Sequence, residues 1–220
     1  MVAAGETSPS FPSFSVYFFT FLHYIYNMEK KVVPLKEKLI PIILTVLVVV
    51  LDQVSKALVV KFIPQNTIGS VFLDGFFRII HVRNTGVAFS VGATWGQTMR
   101  NIMFSLIPII VIGLVLVIYF RNNDFTKVQR WAITGIVGGG IGNIIDRIFR
   151  PAGVVDFLDV QWFGMENSPI SLFRMQRWPT FNIADSAVVI CGIMLIISFI
   201  VSSVKEKNAA QKKAENTEEI

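Results

Sequence analysis

Four apolar runs, at about residues 39–60, 102–120, 131–148 and 184–204, constrain this chain more than any other feature. Each is close to the roughly 20 residues a helix needs to cross a bilayer's hydrocarbon core. In that core every backbone polar group must be satisfied within its own segment, so each run is predicted to be a helix. Composition agrees, with 53% hydrophobic and 16% charged residues against about 25% charged in a typical soluble domain. At 220 residues the chain has room for one domain. The formal charge of +5 is modest, and its cations flank the apolar runs. They read as topology signals and lipid-headgroup contacts, and no nucleic-acid partner is expected. The single cysteine, Cys191, lies inside an apolar run. It excludes an intramolecular disulfide and a multi-cysteine metal site, and reads as a buried, inert thiol.

Residues 1–27 read as an N-terminal extension that ends in an aromatic run. It lacks the basic start and small-residue cleavage site of a signal peptide. Met28-Glu29-Lys30-Lys31 reads as the physiological start, with an aromatic interfacial segment as the alternative. Residues 28–204 are the membrane domain and 205–220 a polar, disordered cytoplasmic tail. Between the first two runs, Gly69, Gly75, Gly86 and the Asp74-Gly75 turn signal break up β-rich pieces. Residues 77–83 read as a strand, so a small extracytoplasmic sheet or cradle is expected. Residues 84–90 read as a loop. Pro108 is a candidate kink, and residues 121–130 a short polar turn. The third run is glycine-dense, and Gly135/Gly139 and Gly138/Gly142 have the spacing for close helix contact. Residues 151–180 read as an aromatic and basic interfacial loop.

Lysines cluster before the first run and after the last, placing both termini in the cytoplasm. The arginines run the other way, so the combined bias is weak. Under this topology Asp52, Asn84, Asp146, Asp156 and Asp185 share the outer side.

Asp52 and Lys56 are one helical turn apart, either a neutralised pair at a helix end or part of a site. Asn143 shares a helix face with both Asp146 and Arg147, favouring a supporting role. Asn182 and Asp185 suit a helix cap and first-turn acid with no chemistry at all. Asp156 follows two valines and precedes Phe157, where desolvation would raise its pKa. Asp159 reads as a solvated residue one helical turn further on. His81 reads as a strand residue and His23 lies in the extension; two histidines are too few for a zinc site. The 138–142 glycines lie in an apolar run without a P-loop lysine, so packing explains them. No cofactor or metal is expected.

Five ordered motifs then carry a resemblance. They are Asp52-Gln53-Val54-Ser55-Lys56, Asn84-Thr85-Gly86-Val87-Ala88-Phe89-Ser90, Gly142-Asn143-Ile144-Ile145-Asp146-Arg147, Val154-Val155-Asp156-Phe157 and Phe181-Asn182-Ile183-Ala184-Asp185-Ser186. With them the chain resembles lipoprotein signal peptidase (signal peptidase II), a bacterial membrane aspartic protease family, over about residues 38–204. The resemblance implies that Asp156 and Asp185 are the catalytic pair. It implies supporting roles for Asp52, Lys56, Asn84, Gly86, Asn143, Asp146, Arg147 and Asn182. It also implies a diacylglyceryl-modified prolipoprotein as substrate, cut before the lipidated cysteine, and residence in the inner membrane among lipids; a monomer is expected. The stretch between Asp156 and Asp185 is longer than in many members, which makes residues 162–178 the least transferable.

Two like charges at close range disfavour double ionisation, so one carboxyl keeps its proton while the other activates water. The pair titrates as a unit, so sequence does not assign the roles. A small proton-coupled carrier with Asp146, Asp156 and Asp185 as a relay is the rival class. It predicts midplane charges and an inverted repeat; the charges here cluster toward one face and no repeat is visible. A non-catalytic membrane scaffold is the third reading.

Overall fold

A computed structural model describes residues 32–85, 96, 99, 102–162, 164 and 175–218. Gly86, the extension 1–27 and most of residues 163–174 lie outside the described residues. The first run folds as a short helix α1 (Leu35–Leu39) leading into α2 (Ile42–Phe62). The second is a π-helical turn, Ile102–Leu106, continued by α3 (Ile107–Arg121). The third is α4 (Lys127–Phe149) and the fourth α5 (Ile183–Glu218). All four are long and apolar enough to cross a membrane. Their outward side chains, such as Val46, Leu51 and Val54 on α2 or Ile190, Ile196 and Ile197 on α5, are more than half exposed. Water would penalise such a surface, whereas lipid does not.

Local rules explain the boundaries. Pro108 sits in the first turn of α3, where its missing N–H is not needed, and the helix changes from π to α winding just before it. Thr126 and Gln129 form a reciprocal capping box. It starts α4 inside the stretch expected as a turn. The disordered tail expected after residue 204 is instead helical to Glu218, because its Ala, Lys, Glu and Gln are strong helix formers.

Helix α4 is the hub, packing against both α2 and α5. Its glycines make that possible. A Cβ on Gly138 would lie 3.0 Å from the Thr45 backbone of α2, and one on Gly139 would collide with the Ala184 carbonyl of α5. Gly135 faces Cys191, which is buried as expected. At the end away from the sheet, the buried Tyr119 hydroxyl donates to the Lys38 carbonyl at 2.6 Å, tying α3 to α1.

The other end carries a three-stranded antiparallel sheet, in the order β1 (Ile68–Phe72), β2 (Phe77–Asn84), β3 (Val154–Val160). Strand β2 is the one expected. The Asp74-Gly75 signal lies in a tight turn where Gly75 adopts φ +92°. Strand β3 was read as interfacial loop and is the main correction. Gly153, at φ +103°, turns the chain out of α4, and the Val154-Val155-Asp156-Phe157-Leu158 run then pairs with β2. With it Asp159 changes character. Three residues from Asp156 on a strand, it faces the opposite side. It is 2% exposed and ion-paired with Arg78 and Arg177, not solvated.

Where α2, α4 and the sheet meet, charges are buried. Lys56 Nζ lies 2.8 Å from Asp52 Oδ2 and 3.1 Å from Asp146 Oδ2, and all three side chains are 0% exposed. Arg150 pairs with the other oxygen of Asp146, giving two acids and two bases. Gln53 Nε2 is 3.0 Å from Asp52 and 3.1 Å from Asp146. Breaking a buried pair costs more than making it contributes, because the partner is left charged and dry. Lys56→Met should therefore destabilise the fold by about 3–5 kcal/mol in detergent unfolding. Gly138→Val should cost about 1–3 kcal/mol by forcing α2 and α4 apart. Thermal unfolding of each purified variant checks both, and an unchanged melting temperature would contradict them.

Candidate active site

Asp156 lies on β3, 4% exposed, beside the apolar cluster of Val59, Val155 and Phe157. A bulge in β2 opposite Phe157 separates two stretches of regular pairing, and beyond it Val82 faces Asp156. Asn84, two residues along β2, donates its side-chain amide to Asp156 Oδ2 at 3.1 Å. Asn182 donates its own to Asp156 Oδ1 at 2.7 Å.

Asn182 is also the cap of α5. Its Oδ1 accepts the Asp185 amide at 2.9 Å, and its backbone N–H donates to Asp185 Oδ2 at 3.1 Å. The reciprocal pair is a capping box with an acid at its third position. The cap expected from sequence is real, and the same residue holds both carboxylates. Asn143 donates to Asp185 Oδ1 at 2.7 Å. Its own oxygen accepts from Lys56 at 3.0 Å and from Asn182 at 3.1 Å.

The ion cluster reaches the two acids by a second route. Asp52 Oδ1 accepts the backbone amide of Ala184, the residue before Asp185, at 3.0 Å. Asp146 Oδ2 accepts the amide of Val155, the residue before Asp156, at 3.0 Å. Lys56 joins Asp52 to Asp146, so one ammonium group ties together the backbones that carry both carboxylates. Gly142 makes room: a Cβ there would lie 2.6 Å from Asp52 Oδ2. Arg147, half-buried on α4 beside Asp146, forms no ion pair with the acids among the described residues, and its charge acts on Asp185, Asp156 and Asp146 at longer range.

Burial pushes the Asp156 carboxyl up to about 7, and the charge of Asp185 adds to the shift; the amides of Asn84 and Asn182 and the charge of Lys56 oppose it. A carboxyl poised near neutrality beside a second carboxylate can hold a proton and give it up. Among the described site residues, Asp52, Lys56, Asn84, Asn143, Asp146, Asn182, Asp156 and Asp185 belong to this one bonded assembly, and Arg147 acts on it only through its charge. Gly86 is outside the described residues. Sequence reasoning missed Gln53 and Arg150. Arg150 follows Asp146 by one helical turn, a signal that was available, and its NH1 also donates to Gln53 Oε1 at 2.9 Å. Gln53, adjacent to Asp52, had no such spacing.

The sequence model of the family described as Signal peptidase (SPase) II matches residues 44–201. A lipoprotein signal peptidase of Treponema pallidum is 50% identical over 165 residues, 75% of this chain and 85% of that protein. One of Borrelia hermsii is 51% identical over 158 residues, 72% of this chain and 87% of that protein. A solved structure described as a bacterial membrane enzyme at 1.9 Å resolution superposes with a TM-score of 0.59 at 28% identity, covering 72% of this chain and 91% of that one. The ordered motifs, the four apolar helices with their small sheet, and these matches together show that the chain belongs to the signal peptidase II family.

Proposed function

We propose that the chain removes the signal peptide from diacylglyceryl-modified prolipoproteins, cutting the peptide bond before the lipidated cysteine, with Asp156 and Asp185 as its catalytic pair. The observation that carries the assignment is Asn182. One residue donates to Asp156 through its side chain and to Asp185 through its backbone, so the two carboxyls share one site.

The environments differ in a way that divides the labour. Asp156 is desolvated and sits beside a second negative charge, so it keeps the proton. Asp185 accepts from the Asn182 backbone N–H and from the Asn143 amide in the first turn of α5, which fixes the orientation of the carboxylate that acts as the base. Asp185 takes a proton from water as the water oxygen bonds to the scissile carbonyl carbon. Asp156 gives its proton to the carbonyl oxygen, forming a neutral gem-diol. The C–N bond then breaks. Asp185 passes its proton to the leaving cysteine amine, and a diol hydroxyl returns one to Asp156. Arg147 and the amides of Asn84 and Asn143 orient the peptide and stabilise developing charge. The steps use two carboxyls and water, with no metal and no covalent intermediate.

The reading extends to the setting. Residues 28–204 form the peptidase domain, in the inner membrane of a bacterium, with both termini cytoplasmic and the sheet end near the outer face. The acyl chains of the substrate lie in lipid between helices while the sheet receives the peptide. The enzyme acts as a monomer. Lysines before α2 and after the spanning part of α5 support this orientation.

Asp156→Asn and Asp185→Asn should each lower cleavage of a lipidated precursor by at least about 100-fold while the protein stays folded. Wild-type processing by either variant would remove that residue from the pair. Because the productive state needs the proton on Asp156, kcat/KM should fall as pH rises above about 7. A rate that stays flat through that range would contradict the assignment.

A further inference from the structure

Asp159 is a buried acid that the reaction does not use. On β3 it lies directly across from Arg78 of β2. Arg78 Nε and NH2 each approach Asp159 Oδ2 at 2.6 Å, and Arg177 Nε lies 2.8 Å from both carboxylate oxygens. Arg177 does more than neutralise it. Its NH1 donates to the Gly75 carbonyl in the β1–β2 turn at 3.0 Å, and its NH2 to the Asp159 carbonyl at 3.2 Å. Beside it, Trp178 N–H donates to the Val160 carbonyl at 2.9 Å and Trp162 N–H to the Gln176 carbonyl at 3.0 Å. The rings of Trp162 and Trp178 pack at a tilt of 54° with centroids 4.8 Å apart. Asp159 is thus the point where β2, β3, the β1–β2 turn and the returning chain are fastened together.

Its place relative to the bulge gives the clamp a consequence for chemistry. On its side, Phe77, Arg78 and Ile79 pair with Val160, Asp159 and Leu158. On the other, Val82, Arg83 and Asn84 pair with Asp156, Val155 and Val154. Between them, Ile80 and His81 stand against Phe157 alone. A bulge is one choice of register, and a one-residue slip turns every side chain to the opposite face of the sheet. A loosening short of a full slip would already lengthen the Asn84 and Asn182 bonds to Asp156 while leaving it buried beside Asp185. Asp146 holds the strand at Val155, before Asp156. The Asp159 clamp holds it on the far side.

We propose that Asp159, gripped by Arg78 and Arg177, is a positioning residue that fixes the register of β3 across the bulge and so places Asp156 against Asn84 and Asn182. This rests on the reading of Asp156 as the catalytic acid. An ordinary salt bridge would contribute only to stability. A register clamp controls which groups surround Asp156, and the two roles separate in the pH profile. The charged groups acting on Asp156 are Asp185 from α5, Lys56 from α2 and Arg147 from α4, and none is altered by a change at Asp159. If Asp159→Asn loosens the register, the two amides that favour ionised Asp156 withdraw, and its proton is held to higher pH. If Asp159 acted only through its charge, losing that charge would move the profile to lower pH. If the variant merely lowered the folded fraction, the profile would not move.

The test uses the full chain in detergent with a lipidated precursor peptide, comparing wild type, Asp159→Asn, Asp159→Glu and Asp156→Asn, with melting temperatures for each. The expected result for Asp159→Asn is a kcat lower by about 10-fold or more, with the fall in kcat/KM displaced to higher pH. Asp159→Glu, which keeps the clamp's charge, should restore most of the rate and the wild-type profile. A profile that is unmoved or moves to lower pH, or a kcat equal to wild type, would overturn the proposal while Asp156→Asn remained inactive. Full activity in Asp156→Asn would instead overturn the reading beneath it, and the positioning role with it.

Discussion

Lys56 is the group on which the rest of the structure depends. A cation with no exposed surface in a bundle made for lipid is costly unless its partners are fixed. Its partners are Asp52 and Asp146, and each has a second oxygen or lone pair to spend on a backbone amide. Those amides belong to Ala184 and Val155, the residues immediately before Asp185 and Asp156. The requirement to neutralise one buried charge therefore also sets where α5 begins and where β3 lies. Gly142 lets Asp52 approach α4, and the neighbouring glycines let α2 and α5 close on it. The helix contacts and the polar cluster meet at the same glycine, Gly142, and so constrain one another.

The site reuses elements that secondary structure needs anyway. Asn182 caps α5 and Asp185 is the first-turn acid of that cap, an arrangement a helix favours without any chemistry. Asp156 sits on a strand whose neighbours are valines and a phenylalanine, which makes the sheet and dries the carboxyl at once. One acid thus sits in the first turn of a helix and the other on a dry, apolar strand. Asn143 links Asp185 to Lys56 through hydrogen bonds at 2.7 and 3.0 Å, and Asn182 carries the link on to Asp156, so the cluster that supports the backbones also touches the side chains.

Much of this was legible in the residues. Helices were clear because apolar runs of that length have few other fates, and the glycine spacing in 135–142 pointed to the contacts it makes. Asp52–Lys56 and Asn143–Asp146–Arg147 were legible because helical periodicity places them on shared faces. That Asp156 and Asp185 belong together was not, since no local rule relates a strand to a helix cap across an intervening excursion; that step came from the resemblance. Strand β3 was missed because its partner, β2, is distant in sequence, and its alternation is obscured by burial on both faces. The misreading of Asp159 followed directly, for a helical turn and a strand put residue i+3 in opposite places. Gln53 shows another limit. It is adjacent to Asp52 and bonds Asp146 across to α4, a contact set by packing and not by spacing.

The proposed reaction needs one proton held by Asp156 beside Asp185. Infrared difference titration of the purified chain measures it directly, through the carbonyl stretch of a protonated carboxyl. A band lost with a midpoint near about pH 7 is expected in the wild type. It should be absent from Asp156→Asn and displaced to lower pH in Asp185→Asn, where the neighbouring charge is gone. A band that persists unchanged in Asp156→Asn, or a wild type whose carboxyls are all ionised above the ordinary carboxylate range of about pH 4, would contradict it.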